Sequence, residues 1–173
     1  GAQNALFIIG MLLAPRNKLI AIEDPSYQGV RNAFNLTGNR LAGVSIDRDG
    51  LIPSEIPTGS QLVFTTPSHQ FPTTVTVSQG RREEFLEAAV REDFLILEDD
   101  YETEMNYLAR STPSLRAMDK SDRVIYVGSM SKTISPGIRL GFMVAHRDII
   151  REARLIRGVV MRHPPTIIQE IVA

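Results

Sequence analysis

The sequence predicts an α/β fold with three layers, in which a mostly parallel mixed sheet is covered by helices on both faces. Three observations predict it. Short apolar runs alternate with helical patterns along most of the 173 residues. The runs are apolar on both faces, which is typical of strands buried on both sides. Polar motifs follow directly after four of these runs, as they do at the carboxyl ends of strands in open α/β sheets. The length favours one domain, residues 1–173.

The first half of the chain predicts two helices and three strands. An apolar run predicts a buried helix at residues 5–13, and Pro15 should end it. A second helix is predicted at residues 29–34, ending near Gly38. Apolar runs predict strands at residues 19–22, 41–46 and 61–65. Turn signals make residues 47–60 a connector rather than a linker between domains.

The second half predicts two helices and three further strands. Residues 81–93 form an amphipathic pattern whose inward positions are Phe85, Ala88 and Ala89. Strands are predicted at residues 94–97, 124–127 and 140–145. A basic helix is predicted at residues 148–161. Acidic residues alternate with its arginines, which favours a solvated helix face over a surface for nucleic acid.

The bulk composition excludes several functional classes. The net charge of −1 gives no global reason to expect nucleic acid or a membrane surface as partner. No apolar run is long enough for a bilayer, and the sequence shows no signal-peptide pattern. The lack of cysteine excludes disulfides and thiolate metal sites and fits the cytoplasm. Because the three histidines are scattered, we expect no metal site.

The segment from Val127 to Phe142 carries the strongest chemical signal. It contains Ser129, Ser131 and Lys132, with Arg139 seven residues later. Of the 19 Lys and Arg residues, only Lys18, Lys120 and Lys132 are lysines. An amine among hydroxyls and a guanidinium suits a phosphorylated aldehyde. A nucleotide P-loop is excluded, because that motif requires glycine where Ser131 stands.

Five motifs together carry a family resemblance that covers nearly the whole chain. They are Gly1-Ala-Gln3, Glu23-Asp-Pro-Ser-Tyr27, Thr66-Pro-Ser-His-Gln-Phe-Pro-Thr73, Glu98-Asp-Asp-Tyr-Glu-Thr-Glu104 and Ser129-Met-Ser-Lys-Thr-Ile-Ser-Pro-Gly-Ile-Arg139. The chain resembles fold-type I pyridoxal-phosphate enzymes of the aminotransferase class I/II superfamily. It is most similar to the aminotransferase-like domain of the MocR branch of GntR-type regulators.

The resemblance implies a cofactor, pyridoxal 5'-phosphate, and a catalytic set. Lys132 would hold the cofactor as a Schiff base and move a proton on the substrate. Asp99 would face the pyridine nitrogen, and Tyr101 would bond the phenolic oxygen of the ring. Many relatives place this acid three residues before the tyrosine, which would select Glu98. We favour Asp99, because MocR-type sequences have the same acidic run.

The resemblance also implies further cofactor contacts. Tyr27 would stack on the ring. The asparagine that many aminotransferases place against the ring is missing here, so His69 or Gln70 would replace it, and we favour His69. Thr74 stands where glycine is usual. The phosphate would be held by a helix N-terminus together with nearby side chains. These residues are Ala2, Gln3, Ser129, Ser131 and Arg139.

Two functions follow from the resemblance. One is amino-group transfer on an amino acid or amine. The alternative is a non-catalytic domain of a transcription regulator that senses an amino compound through the cofactor. A lyase-type reaction also stays open. A homodimer is expected in the full-length parent, and DNA would be bound only through another domain.

The chain is also expected to be a fragment of the cofactor-binding large domain, cut at both ends. By the family pattern it should lack an edge strand and the arginine for the substrate carboxylate, so we expect it to be inactive alone.

Overall fold

A seven-stranded mixed sheet in the order β3-β2-β1-β4-β5-β6-β7 forms the centre of the molecule. A computed structural model describes residues 1–13, 17–101 and 112–172. The strands are β1 (Leu19–Asp24), β2 (Arg40–Asp47), β3 (Gly50–Leu51), β4 (Leu62–Thr65), β5 (Leu95–Asp100), β6 (Val124–Ser129) and β7 (Gly141–Val144). Pro15 and residues 102–104 of the acidic motif lie outside the described residues.

Helices connect and cover the strands. The α-helices in the described ranges are α1 (Ala2–Leu13), α2 (Gln28–Leu36), α3 (Gln79–Arg91), α4 (Leu115–Met118), α5 (Met130–Thr133), α6 (Arg147–Met161) and α7 (Thr166–Val172). Single 3₁₀ turns lie at Pro53–Glu55 and Pro136–Ile138. None of the described helices combines the length and hydrophobicity that a membrane crossing requires.

Strand directions confirm the predicted mixed sheet. β1 is parallel to β2 and β4, β4 to β5, and β5 to β6. β7 runs antiparallel to β6, which makes the sheet mixed, and Ser129 pairs with Gly141. The short strand β3, which pairs antiparallel with the end of β2, was not predicted. Its two residues are too few to show the alternation that identifies a strand.

Two hydrophobic clusters confirm the three layers. On one face of the sheet, Leu6 and Ile9 of α1 and Phe34 of α2 pack on alternate residues of the central strands. On the other face, α3 packs through Phe85, Ala88 and Ala89, the inward positions predicted from the sequence. Both faces of β1, β4, β5 and β6 are therefore buried, which explains their continuous apolar runs.

Strands β1, β5 and β6 run further than their apolar segments. β1 ends at Asp24, two residues after Ile22. β5 continues through Glu98 and Asp99 to Asp100, and all three acids are buried. β6 continues to Ser129, whose hydroxyl then caps α5 by accepting a hydrogen bond from the Ser131 amide. The polar residues at these strand ends thus remain within the hydrogen-bonded sheet, because other elements supply hydrogen-bond partners for most of their side chains.

Candidate active site

Four of the five parallel strands, β1, β4, β5 and β6, end beside a cavity of about 290 Å³. Its lining brings together every predicted site residue except His69. The lining residues are Ala2, Gln3, Leu6, Tyr27, Thr66, Phe71, Asp99, Tyr101, Ser129, Ser131, Lys132 and Arg139. This agrees with the rule that ligands of open α/β sheets bind outside the carboxyl ends of the strands.

One side of the cavity is suited to an anion. α1 begins at Ala2, so the first amide groups of that helix lack partners within it. The Arg139 Nη1 atom donates to the Ser131 hydroxyl at 3.4 Å, which brings a guanidinium to one of the two serines. Arg139 itself has left-handed backbone (φ 51°) directly after the 3₁₀ turn. We call Ala2, Gln3, Ser129, Ser131 and Arg139 the anion group.

Gly141 allows the anion group to close. A Cβ atom at this position would lie 2.7 Å from the Ala2 nitrogen and 2.8 Å from the Gly128 oxygen. Both neighbours are backbone atoms and cannot rotate away. The start of α1 can therefore pack against β7 only where β7 carries no side chain.

The amine and the phenol of the predicted catalytic set lie on another side of the cavity. The Lys132 Nζ atom lies 6.0 Å from the centre of the Tyr101 ring. The Tyr101 hydroxyl donates to the His69 carbonyl at 2.8 Å, and the two rings meet edge to face with centroids 6.2 Å apart. His69 is not among the lining residues, so its contact with a cofactor ring stays a prediction.

Asp99 and Glu98 face different surroundings. Asp99 is buried at the cavity, and its Oδ1 atom has no hydrogen-bond partner in the described structure. Burial, together with the nearby carboxylates of Asp100 and Glu23, raises the pKa of Asp99 to about 7. Glu98 instead accepts hydrogen bonds from the amides of Leu115 and Arg116 at 2.8 and 2.9 Å. Glu98 thus orients α4.

Tyr27 covers one end of the cavity. Its ring lies against Gly29, where a Cβ atom would lie 2.3 Å from the ring atom Cε1. The ring also meets Phe71 edge to face, with centroids 6.0 Å apart. Tyr27, Phe71 and the neighbouring Thr66 together form what we call the ring side of the cavity.

Sequence reasoning gave no role to Glu23, although its carboxylate is fully buried beneath the ring side. It accepts hydrogen bonds from Thr65, Thr66 and Gln70. Burial raises the pKa of Glu23, and those hydrogen bonds oppose the rise. The sequence did contain a signal, since Glu23 continues an apolar strand without a turn residue before it.

Relatives of two kinds are similar to this chain. It is 43% identical to the HTH-type transcriptional regulator TauR of Rhodobacter capsulatus, over all of this chain and 36% of the regulator. It is 31% identical to the probable rhizopine catabolism regulatory protein MocR of Rhizobium meliloti, over all of this chain and 35% of that protein. The chain thus spans about a third of the length of these curated relatives.

A solved structure with the same fold contains a phosphopyridoxyl compound. LysN, an α-aminoadipate aminotransferase of Thermus thermophilus, superposes with a TM-score of 0.91 and 29% identity. The match covers 99% of this chain and 46% of LysN, which was crystallised with N-(5'-phosphopyridoxyl)-L-leucine.

The model of the family "Aminotransferase class I and II" matches residues 1–173, which is the whole chain. This confirms the resemblance carried by the five motifs, and pyridoxal phosphate is the cofactor that it implies. The chain belongs to the aminotransferase class I and II family.

Proposed function

We propose that this chain binds pyridoxal phosphate as a Schiff base on Lys132 and that its protein uses the cofactor on amino compounds. The observation that carries the proposal is the buried Asp99 Oδ1 atom, which lines the cavity without a partner. A buried carboxylate oxygen is costly unless a donor reaches it. The protonated pyridine nitrogen of the cofactor is such a donor.

The anion group fits the other end of the same ligand. Helix N-terminal amides, two serine hydroxyls and the Arg139 guanidinium are the donors that a phosphate ester needs. Tyr27 supplies an aromatic surface for an electron-poor ring, and Lys132 supplies an amine. The residues present therefore fit the group from its phosphate to its ring nitrogen.

When bound, pyridoxal phosphate supplies an aldehyde carbon and a ring that withdraws electrons from it. The residues of this chain would then divide the work. The Asp99 Oδ1 atom would accept the hydrogen bond of the ring nitrogen and keep that nitrogen protonated. Lys132 Nζ, once released by an incoming amine, would take a proton from the carbon that bears the amino group and deliver it to the carbon that carried the aldehyde.

An absorbance titration with pyridoxal phosphate tests this proposal on the intact protein. The wild type should develop the absorbance of a protonated Schiff base near the visible edge. Lys132→Ala should not, whereas Lys120→Ala should behave as the wild type, because Lys120 lies outside the cavity. The proposal fails if the wild type develops no such absorbance, or if Lys132→Ala retains it.

A second function is favoured by the 43% identity to a transcription regulator. In this case the domain senses an amino compound, turnover is weak or absent, and DNA is bound by another domain of a cytoplasmic protein. A homodimer, with this chain as part of the cofactor-binding large domain, is proposed under both functions. Stoichiometric conversion of the cofactor to pyridoxamine phosphate by an amino compound favours transfer. A reversible spectral change without conversion favours sensing.

A further inference from the structure

We propose that Glu23 is a positioning residue that fixes the segment 66–71 and, through it, the ring side of the cavity. Glu23 does not line the cavity, and its three partner residues come from β4 and the segment after it. The relevance of this role to a cofactor rests on the proposed function, but the contacts themselves do not.

The Glu23 carboxylate joins the end of β1 to the end of β4. Its Oε1 atom accepts from the Thr65 hydroxyl at 2.5 Å and from the Thr66 amide at 3.1 Å. Its Oε2 atom accepts from the Thr66 hydroxyl at 2.8 Å. Thr66, which lines the cavity, is thus held by both its backbone and its side chain.

Gln70 extends the contact to the far end of the segment. Its Nε2 atom lies 3.2 Å from Glu23 Oε2 and 2.8 Å from each of the carbonyl oxygens of Pro25 and Phe71. The Thr66 hydroxyl in turn accepts a hydrogen bond from the Phe71 amide at 3.2 Å. Besides the bond to Thr65, these bonds link Glu23 to Thr66 and Phe71 of the ring side. Through Gln70 they also link it to Pro25, in the turn that leads to Tyr27.

The contact between Tyr27 and Phe71 closes this arrangement. Their edge-to-face packing joins the turn after β1 to the segment after β4 at the cavity itself. A shift of Phe71 would therefore remove the support of the aromatic surface on which a cofactor ring would stack. Glu23 is linked to Phe71 through Thr66 and Gln70. It is linked to the turn before Tyr27 through Gln70 and Pro25.

Glu98 shows that a buried acid on this sheet need not have such a role. Both carboxylates are fully buried, and Thr65 lies between them in the sheet, since it pairs with Glu98 and bonds Glu23. Glu98, however, bonds the amides of Leu115 and Arg116, which do not line the cavity. Glu98 therefore provides a control of the same residue type and the same burial.

The first experiment needs no cofactor. Hydrogen exchange is measured by mass spectrometry on the intact protein in its apo form, for the wild type, Glu23→Ala, Glu23→Gln and Glu98→Gln. Glu23→Ala should accelerate exchange at residues 66–71, because the Thr66 amide loses its acceptor. Glu23→Gln keeps one acceptor oxygen and should restore part of the protection. Glu98→Gln should accelerate exchange at residues 115–118 instead.

The second experiment separates the two ends of the cavity with two ligands, pyridoxal phosphate and pyridoxal. Glu23→Ala should weaken binding of both by the same factor, about tenfold, because the ring side contacts what the ligands share. It should also change the shape of the circular dichroism spectrum of the bound chromophore. A loss of folded protein alone would only lower the amplitude of that spectrum. Glu98→Gln should leave both affinities unchanged.

Three outcomes would overturn the proposal. They are wild-type exchange at residues 66–71 in Glu23→Ala, wild-type affinity for both ligands in that variant, or equal losses of affinity in Glu23→Ala and Glu98→Gln. A wild-type protein that binds neither ligand would count against the proposed function, while the exchange experiment would still decide whether Glu23 fixes the segment.

Discussion

Glu98 and Asp99 are neighbours in β5, and their side chains lie on opposite faces of the sheet. Glu98 shares the face of Ile96 and bonds the start of α4, whereas Asp99 shares the face of Leu97 and lines the cavity. Strand alternation alone requires that only one of two adjacent acids reach the cavity. The position two residues before Tyr101 is therefore the one available to a ligand, and Glu98 is used for the fold.

The raised pKa of Asp99 predicts a dependence of stability on pH. Its pKa is about 7 in the folded chain against an ordinary value of 3.8, so folding favours the neutral acid. This contribution is fully present below about pH 4 and is lost as the pH rises through 7. Urea unfolding of the apo protein measures this effect. As the pH rises from 4 to 7.5, the free energy of unfolding of Asp99→Asn should increase by about 1–3 kcal/mol relative to that of the wild type.

The comparison of the two proteins at each pH isolates Asp99 from the other buried acids. The pKa of Glu98 is also raised to about 7, but Glu98 is present in both proteins. Saturating pyridoxal phosphate should abolish the gain, because the ring nitrogen then pairs with the ionised Asp99. A constant difference in unfolding free energy across the pH range would contradict the assignment.

Arg139 should discriminate between ligands with and without a phosphate. Its guanidinium contacts Ser131 in the anion group, and the residue is exposed to solvent, so its ion pairing is screened. Arg139→Ala should weaken binding of pyridoxal phosphate about tenfold and leave binding of pyridoxal unchanged. Arg48→Ala, which removes an arginine outside the cavity, is the control, and absorbance titration is the measurement. Equal losses for the two ligands would exclude Arg139 from the anion group.

Gly141 should tolerate no side chain. The Cβ atom of Gly141→Ala would overlap the backbone of Ala2 and Gly128, so the start of α1 must move away from β7. We expect a loss of about 1–3 kcal/mol in the free energy of unfolding and weaker binding of pyridoxal phosphate. Gly137→Ala is the matched control, since its nearest neighbour would be the Ser135 hydroxyl at 3.9 Å. Wild-type behaviour of Gly141→Ala would contradict the close packing at this point.

The sequence was a good guide to the layers of the fold and a poorer guide to where strands end. Apolar runs predicted six of the strands, because burial on both faces leaves a continuous signal. The pattern placed the end of β5 at Leu97, whereas the strand runs to Asp100. The acids remain in the strand because Leu115, Arg116 and Tyr126 donate hydrogen bonds to two of them. Such tertiary partners leave no trace in local periodicity.

The candidate site, too, could be predicted only in part from the sequence. The motifs after β1, β4, β5 and β6 predicted which side chains share a cavity, because parallel strands place their carboxyl ends together. Residue spacing alone could not decide between Glu98 and Asp99, because the choice depends on which face of β5 lies towards α1. Nor did it give Glu23 a role, because the partners of Glu23 lie more than 40 residues away in Thr65, Thr66 and Gln70.

Lys132 should be the lysine that bonds the cofactor. Reduction of the pyridoxal phosphate complex with borohydride, followed by peptide mass spectrometry, measures this directly. Lys18, Lys120 and Lys132 are the three lysines of the chain, so each competes as an internal control. One phosphopyridoxyl group per chain is expected, on Lys132. A label found on Lys18 or Lys120 in place of Lys132, or no label at all, would contradict it.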